Sequence, residues 1–380
     1  MLQTYFFASL AKPHTDALRK QLPAYSTTLV MQERPATNPR QTHLHHRGEY
    51  LQAKEDVQPQ LLSLLGAEKS SQPKNRLEFA RWLVSSNNPL TARVTVNRHW
   101  AALFGRGIVR TTDDFGYQGA APSHPELLDW LALELPKRGW SIKQLHKLIM
   151  LSATYQQSSR ISPEAQQADP ENLLLGRFPR LRVEAELIRD VVLKTSGLLS
   201  PKLGGPSVFP PQPAGVTSEG TYGPLAWNVS QGEDRYRRAL YTFTKRTAPY
   251  AMLLTFDAPS GEACVPRREL SNSPLQALTL LNDQVFVESA QVMGKQLANS
   301  EGDLMSKATH LFRRVLTRPP AEDELKLLVK FYEQQRSRLE SKELDGGKIA
   351  GANEADKVER ATWTLAARAL LNLDETITKN

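Results

Sequence analysis

Leucine, valine and isoleucine recur at helical spacing along most of this 380-residue chain, and small polar residues mark where the rhythm starts. Asn88-Pro89 opens the clearest run. Asparagine accepts a hydrogen bond from a free backbone N–H, and proline at the first helical position gives up no donor. Leu90, Val94, Asn97, Ala101 and Phe104 follow on one face, and Gly105 and Gly107 end the run. Ser123 with Glu126, Ser141 with Gln144 and Ser273 with Gln276 have the spacing of capping boxes. They predict helices whose inner faces carry Leu127, Leu128, Leu131 and Leu135, then Ile142, Leu145, Ile149 and Tyr155, then Leu278, Leu281, Val285 and Met293. Asn282-Asp283 kinks or splits the last of these.

The same reading predicts helices over residues 1–24 (Tyr5, Leu10, Leu18 and Leu22 inward), 76–85 (Leu77, Ala80, Leu83 and Val84 inward) and 182–199. In the last, Ile188, Val191, Val192 and Thr195 form the buried face, with Glu184, Arg189 and Asp190 on or near the polar side. Helices over 304–316, from 322 onward and over 358–373 complete the set, the last turning Trp363, Ala366, Leu370 and Leu373 inward. Ala321 offers no capping side chain, which weakens its corner by about 1 kcal/mol. Residues 238–245 (RALYTFTK) alternate as a strand does, with a helix as the alternative. Residues 200–236 are rich in proline and glycine, carry Tyr222 and Trp227, and read as a long loop, either functional or disordered. The fold class is therefore mainly α: a multi-helix bundle with that loop and at most a few short strands. The expected divisions are 1–70 ahead of the core, 71–340 as the helical core, 341–356 as a flexible linker, and 357–380 as a C-terminal helix docking on the core.

Composition narrows the function classes. Forty-eight basic residues against 40 acidic give a net charge of +8, but the basic residues are dispersed rather than gathered in the stripe that nucleic acid requires. Anionic ligands remain open. No apolar run is long enough to span a bilayer, and the opening MLQTYFFASLAKPH has no basic leader, so it reads as an ordinary helix rather than a signal peptide. A single cysteine, Cys264, excludes an internal disulfide and a Cys-x-x-Cys-His haem attachment.

Candidate chemistry is sparse. Asp114-Phe115-Gly116 lacks the other kinase motifs and reads as a turn. Asp257, Glu262, Cys264, Arg267 and Arg268 crowd one loop segment. Asp114, Asp257 and Glu262 are the candidate catalytic carboxylates, since acid–base hydrolysis needs paired carboxyls. Asn97, Arg98, His124, Arg189, Asp190, Cys264, Arg267 and Arg268 are candidate ligand contacts. Against each stands a structural role: Asn97 bonded to a neighbouring loop, Cys264 as a small buried hydrophobe, the charges as loop pins. His43, His45 and His46 suggest metal, although no further ligand lies nearby in the sequence.

NPLTARVTVNRHWAALFGRGIVRTTDDFG, SHPELLDWLALEL, GWSIKQLHKLIMLSATYQQSS, LRVEAELIRDVVLKTSGLLSPKLGGPSVFPPQPAG, RRALYTFTKRTAPY, TFDAPSGEACVPRREL and NSPLQALTLLNDQVFVESA together resemble the C-terminal domain of the large planctomycete cytochrome-c-linked proteins. That domain is catalogued as the fifteen-fifty-three domain of unknown function, of the PSD type. The resemblance runs from about Thr28 to the C-terminus and brings no assigned activity. It implies an extracytoplasmic binding or scaffold module, with a hydrolase, perhaps polysaccharide-directed, as the alternative. It also implies a chain that is the tail of a longer exported protein, with residues 1–70 the tail of a preceding domain plus an extended linker, and, through GGPSVFPPQP, an ordered 200–236 loop packed over a cleft. Its partners would be an N-terminal domain and a c-type cytochrome domain, with any haem held there and no cofactor in this chain. Its ligand would be a polysaccharide or an anion.

Overall fold

The computed structural model describes residues 9, 11–21, 27–35, 37–65, 72–213, 215–216, 226–351 and 356–379. Tyr5, Leu10, Leu22 and Tyr222 lie outside them. The chain divides into two units, Met1–Thr91 and Ala92–Asn380.

In the first unit, α1 (Lys12–Arg19) leaves Leu18 exposed rather than buried. Strand β1 (His43–His45) pairs antiparallel with β2 (Ala53–Asp56), His43 opposite Asp56. Asn75 caps α2 (Arg76–Leu83) by accepting from Glu78 N at 2.9 Å. The inner face expected of this helix is not formed: none of its residues is buried, and Leu77 and Val84 are exposed.

Next comes α3 (Thr91–Phe104), opened by Asn88, whose Oδ1 accepts from Leu90 N and Thr91 N at 3.0 and 3.2 Å. Its buried stripe is Val96, Asn97, Trp100 and Phe104, with Leu90, Val94 and Ala101 only partly covered. The inward face is therefore rotated from the one the leucine–valine spacing suggested, because Trp100 stacks on Phe104 at 4.2 Å and both must be enclosed. These side chains meet α4 (Pro125–Lys137) through Leu128, Leu131 and Leu135, and α5 (Ile142–Met150) through Leu145 and Ile149. Ser141 caps α5, accepting from Gln144 N. The box expected at Ser123 does not close. His124 is the N-cap of α4, and Ser123 Oγ turns instead toward Ile108 O at 3.3 Å and His124 Nδ1 at 3.0 Å.

After the short α6 (Pro163–Ala168) and strand β3 (Leu181–Arg182), a larger core is built from α7 (Ala185–Ser196), α8 (Ala251–Thr255), α9 (Pro274–Asn282), α10 (Gln284–Ala298), α11 (Leu304–Leu316), α12 (Glu322–Glu340), α13 (Gly346–Ala350) and α14 (Lys357–Leu371). Strand β4 (Thr378–Lys379) returns to pair antiparallel with β3. Ser273 and Gln276 form the complete capping box on α9, and Asp283 ends that helix and caps α10 by accepting from Val285 N at 2.9 Å. The Asn282-Asp283 break thus splits one expected helix into two. Trp363 on α14 is wholly enclosed against Tyr332, their rings 4.4 Å apart, and burial of so large a side chain contributes roughly 1.5–3 kcal/mol. Gly294 lets α10 cross α14 closely: a Cβ there would stand 2.8 Å from Arg360 O and 2.9 Å from Thr364 N.

Two local expectations are corrected. Residues 239–241 form a 3-10 turn rather than a strand, and among the described residues Val208 and Thr242 make an isolated bridge there. Within 341–356, α13 is capped by Asp345 and buries Ala350 against Leu339 and Ala361, so that stretch is not simply linker. At the Ala321 corner, Glu324 accepts from Ala321 N at 2.7 Å and from Arg318, which also grips Glu375. Those hydrogen bonds hold the Glu324 carboxyl down at about 2. The molecule is mainly α, with two small two-stranded sheets among the described residues. Among those residues no helix is long and apolar enough to cross a membrane.

Candidate functional site

Helix α7 carries charge into the interior. Arg189 has no exposed surface, and its guanidinium donates to Arg237 O at 2.5 Å and Arg235 O at 2.9 Å. Burial pushes its pKa down, while Tyr250, Asp190 and Asp283 oppose that shift. The adjacent Asp190 accepts from Ala239 N at 2.6 Å and Arg238 Nε at 3.4 Å. Two consecutive residues of α7 thus fasten the backbone of 235–239. Arg237, also buried, reaches the other way: it donates to Pro206 O at 3.1 Å, to Lys202 O and to Gly204 O, and stacks on Tyr241 with 3.8 Å from its guanidinium carbon to the ring centre. Backbone carbonyls with no strand or helix partner are satisfied by guanidinium forks, which have five donors each. The expected exposure of the Arg189–Asp190 side of α7 is therefore wrong. Val191, expected inside, is the exposed one.

The described part of the long loop is ordered by aromatic contacts. Trp227 donates to Pro210 O at 2.7 Å and lies parallel to Tyr250 at 5.9 Å. Tyr250 in turn donates to Pro211 O at 3.0 Å, and Phe209 packs between Trp227 and Phe243. Beside this clasp runs a shallow cleft, lined by Gly197–Pro201, Gln231–Glu233, Arg235, Tyr236 and Glu288 of α10. Its floor is a three-residue knot. Arg235 donates through Nε to Glu288 Oε2 at 3.1 Å and through a terminal nitrogen to Oε1, and Tyr236 donates to Oε2 at 3.1 Å. Burial, and then the Glu288 charge, raise the Tyr236 pKa. Nearby Asp283 is raised too, by burial, against its bond from Val285 N and the attraction of Arg189. Gln231 and Glu233 stand exposed at the rim.

The family model PSD1, described as a protein of unknown function (DUF1553), matches residues 75–332, more than half of the chain. The chain belongs to this family. The DUF1553 match begins at the cap of α2 and ends inside α12, so it takes in the whole clasp and cleft. It stops short of α14, which nonetheless supplies Trp363 to the core. No curated protein and no solved structure matches this DUF1553 chain.

Within the DUF1553 span, the residues singled out from sequence fall into different settings. Asn97 is wholly enclosed and bonded twice to one residue: its Nδ2 donates to Val109 O at 2.9 Å and its Oδ1 accepts from Val109 N at 2.8 Å. It is a core clamp and offers no surface to a ligand. Arg98 is exposed on α3, and His124 caps α4. Asp114 closes its own turn, accepting from Gly116 N at 2.7 Å. Asp257, in the left-handed region with φ 63°, accepts from Ser271 N and Oγ at 2.8 Å and from Gln276 Nε2 at 3.3 Å. Glu262, Cys264 and Arg267 are exposed, so Cys264 is not the buried hydrophobe of the alternative reading. Arg268 grips Glu186 at 2.6 and 3.1 Å, with Glu184 at 3.7 Å. Thr112 Oγ1 donates to Pro266 O at 3.3 Å, which brings the Asp114 turn against the 257–268 segment. Among the described residues, however, no hydrogen bond or ion pair joins Asp114, Asp257 and Glu262 to one another.

In the first unit, His43 Nδ1 lies 2.6 Å from Asp56 Oδ1, His45 stacks on Tyr50 at 5.7 Å, and His46 begins a 3-10 turn. The three rings do not converge, and among the described residues no three His, Cys, Asp or Glu side chains gather as a metal site. A covalent c-type haem does not fit these residues either, since Cys264 is the chain's one cysteine and attachment takes two. Sequence reasoning missed Arg235, Tyr236, Arg237 and Glu288. The available signal was the charged run Glu233–Arg238 inside a stretch otherwise rich in proline and glycine.

Proposed function

We propose that this chain is a non-catalytic binding module of an extracytoplasmic assembly, and that the cleft over Arg235, Tyr236 and Glu288 is its ligand surface. The observation that carries this reading is the engagement of Glu288. Both of its oxygens are already bonded, to Arg235 and Tyr236. A carboxylate so held is a fixed acceptor, not a free acid or nucleophile. With Gln231 and Glu233 at the rim and the Tyr236 ring below, the cleft presents acceptors, donors and an apolar face. That mixture suits a hydroxyl-rich chain such as a polysaccharide. A c-type haem in such an assembly would be carried by a partner or another domain.

The alternative is a polysaccharide hydrolase working through Asp114, Asp257 and Glu262. Glycoside cleavage needs two carboxyls flanking one bond. Asp114 and Asp257 instead hold local backbone N–H groups, which weighs against it. The decisive experiment titrates soluble polysaccharides into the full chain by calorimetry while reducing ends are assayed. Binding without reducing-end release, weakened by Glu233→Ala, supports the module. Release that Asp257→Asn or Glu262→Gln abolishes would establish the hydrolase. Co-purification with a c-type cytochrome domain tests the assembly.

A further inference from the structure

Helix α11 has the sequence LMSKATHLFRRVL, with no acidic residue. Ala308, Leu311, Phe312, Val315 and Leu316 turn inward. On the other side, Met305, Ser306, Thr309, His310, Arg313 and Arg314 line a shallow depression. The two arginines within it differ. Arg313 is exposed, whereas Arg314 is half-buried and immobilised: Nε donates to Thr195 O at 2.5 Å and one terminal nitrogen donates to Gln296 Oε1 at 2.6 Å. Both partners are neutral. Burial lowers the Arg314 pKa and no carboxylate opposes it. Among the described residues, neither arginine has an acidic side chain within ion-pair distance. Almost every other half-buried arginine in this molecule that grips a side chain grips a carboxylate, as Arg235, Arg268 and Arg318 do.

Capping the carbonyl end of α7 accounts for the Nε bond of Arg314. It does not account for Nη2, which makes no hydrogen bond among the described residues, or for Arg313, which lines the same depression. A guanidinium fixed in place by neutral partners has little side-chain freedom left to lose when it binds an anion.

We propose that this face of α11 is an oxyanion-binding site, in which Arg313 and Arg314 together take a phosphate, sulfate or carboxylate group. The site is separate from the cleft of the preceding reading and does not depend on it. A free anion and an anionic group carried on a polymer share this chemistry.

The test is calorimetric titration of the full chain with inorganic sulfate, inorganic phosphate and dextran sulfate, at low and at physiological salt. Saturable binding that weakens with salt, and that Arg313→Gln reduces roughly tenfold with an unchanged circular dichroism spectrum, supports the site. If the small anions saturate it, the ligand is a free oxyanion. If only dextran sulfate does, the site reads a polymer-borne group. Arg313 has no partner to lose, so that variant separates binding from folding, and Arg314→Lys, which keeps charge without the fork, lowers affinity as well. Absence of saturable binding by all three probes overturns the proposal. So does equal affinity of the Arg313→Gln variant, or loss of anion binding in the cleft variant Glu233→Ala.

Discussion

His146 Nε2 lies 2.9 Å from His99 Nδ1, so one imidazole donates to the other across the gap between α5 and α3. The bond needs a lone pair on one ring, which double protonation removes. Burial, followed by the facing His146 ring, holds the His99 pKa below the ordinary imidazole range. A folded pKa below the unfolded value of about 6.5 makes the unfolded chain the better proton acceptor. The contribution is therefore complete above about pH 6.5 and is lost as pH falls toward the lowered value. Urea midpoints followed by circular dichroism should drop between pH 7.5 and pH 5 more steeply in the natural chain than in His99→Gln. Parallel pH profiles would assign the pair no share in acid sensitivity.

Arg189→Met should be among the most damaging single changes. It leaves the carbonyls of Arg235 and Arg237 without their donors inside the core. A buried polar group left unpaired costs about 1–3 kcal/mol, and two are left here. The denaturation midpoint should fall accordingly at unchanged slope. Arg189→Lys should recover only part of the loss, because an ammonium cannot span both carbonyls as the fork does.

Asn97→Leu keeps the volume of the clamp and removes its hydrogen bonds. Two buried backbone groups of Val109 are then unpaired, at about 1–3 kcal/mol each. Gly107→Ala tests the same clamp from its other side, since a Cβ there would sit 2.5 Å from Val109 O and 2.7 Å from Asn97 Nδ2. Both variants should lower the thermal midpoint, and combining them should cost less than the sum, because both break one contact.

Gly294→Ala would drive a methyl group into the backbone of α14. Overpacking of this kind costs about 1–3 kcal/mol. Amide exchange in residues 357–371 should accelerate well before global unfolding does. Unchanged exchange there would mean that the two helices part without consequence.

Helix openings were the legible part of the sequence. Asn88, Ser141, Ser273 and Asp283 act through bonds to residues two or three positions on, so local sequence contains the whole device. The interior polar clasp was not legible. Arg189 and Asp190 read as a solvated face because their partners, the backbone groups of 235–239, lie far along the chain and show no chemistry of their own in the sequence. The same blindness rotated the inward face of α3, where Trp100 and Phe104 outweigh the smaller Val94 and Ala101. RALYTFTK alternates over too few residues to decide a strand, and among the described residues it makes one isolated bridge, Thr242 with Val208. The site residues suffered most: Asp114 and Asp257 are each engaged in a turn of their own, while Tyr236 and Glu288, distant in sequence, are the groups that meet.

Arginine keeps its proton throughout the range in which proteins stay folded. The bonds that Arg189 and Arg237 make to neutral carbonyls consequently carry no acid dependence of their own. Mild acid should loosen the histidine-tied helices while those guanidinium bonds hold, so acid reaches the clasp through buried carboxyls such as Asp283 rather than through its arginines.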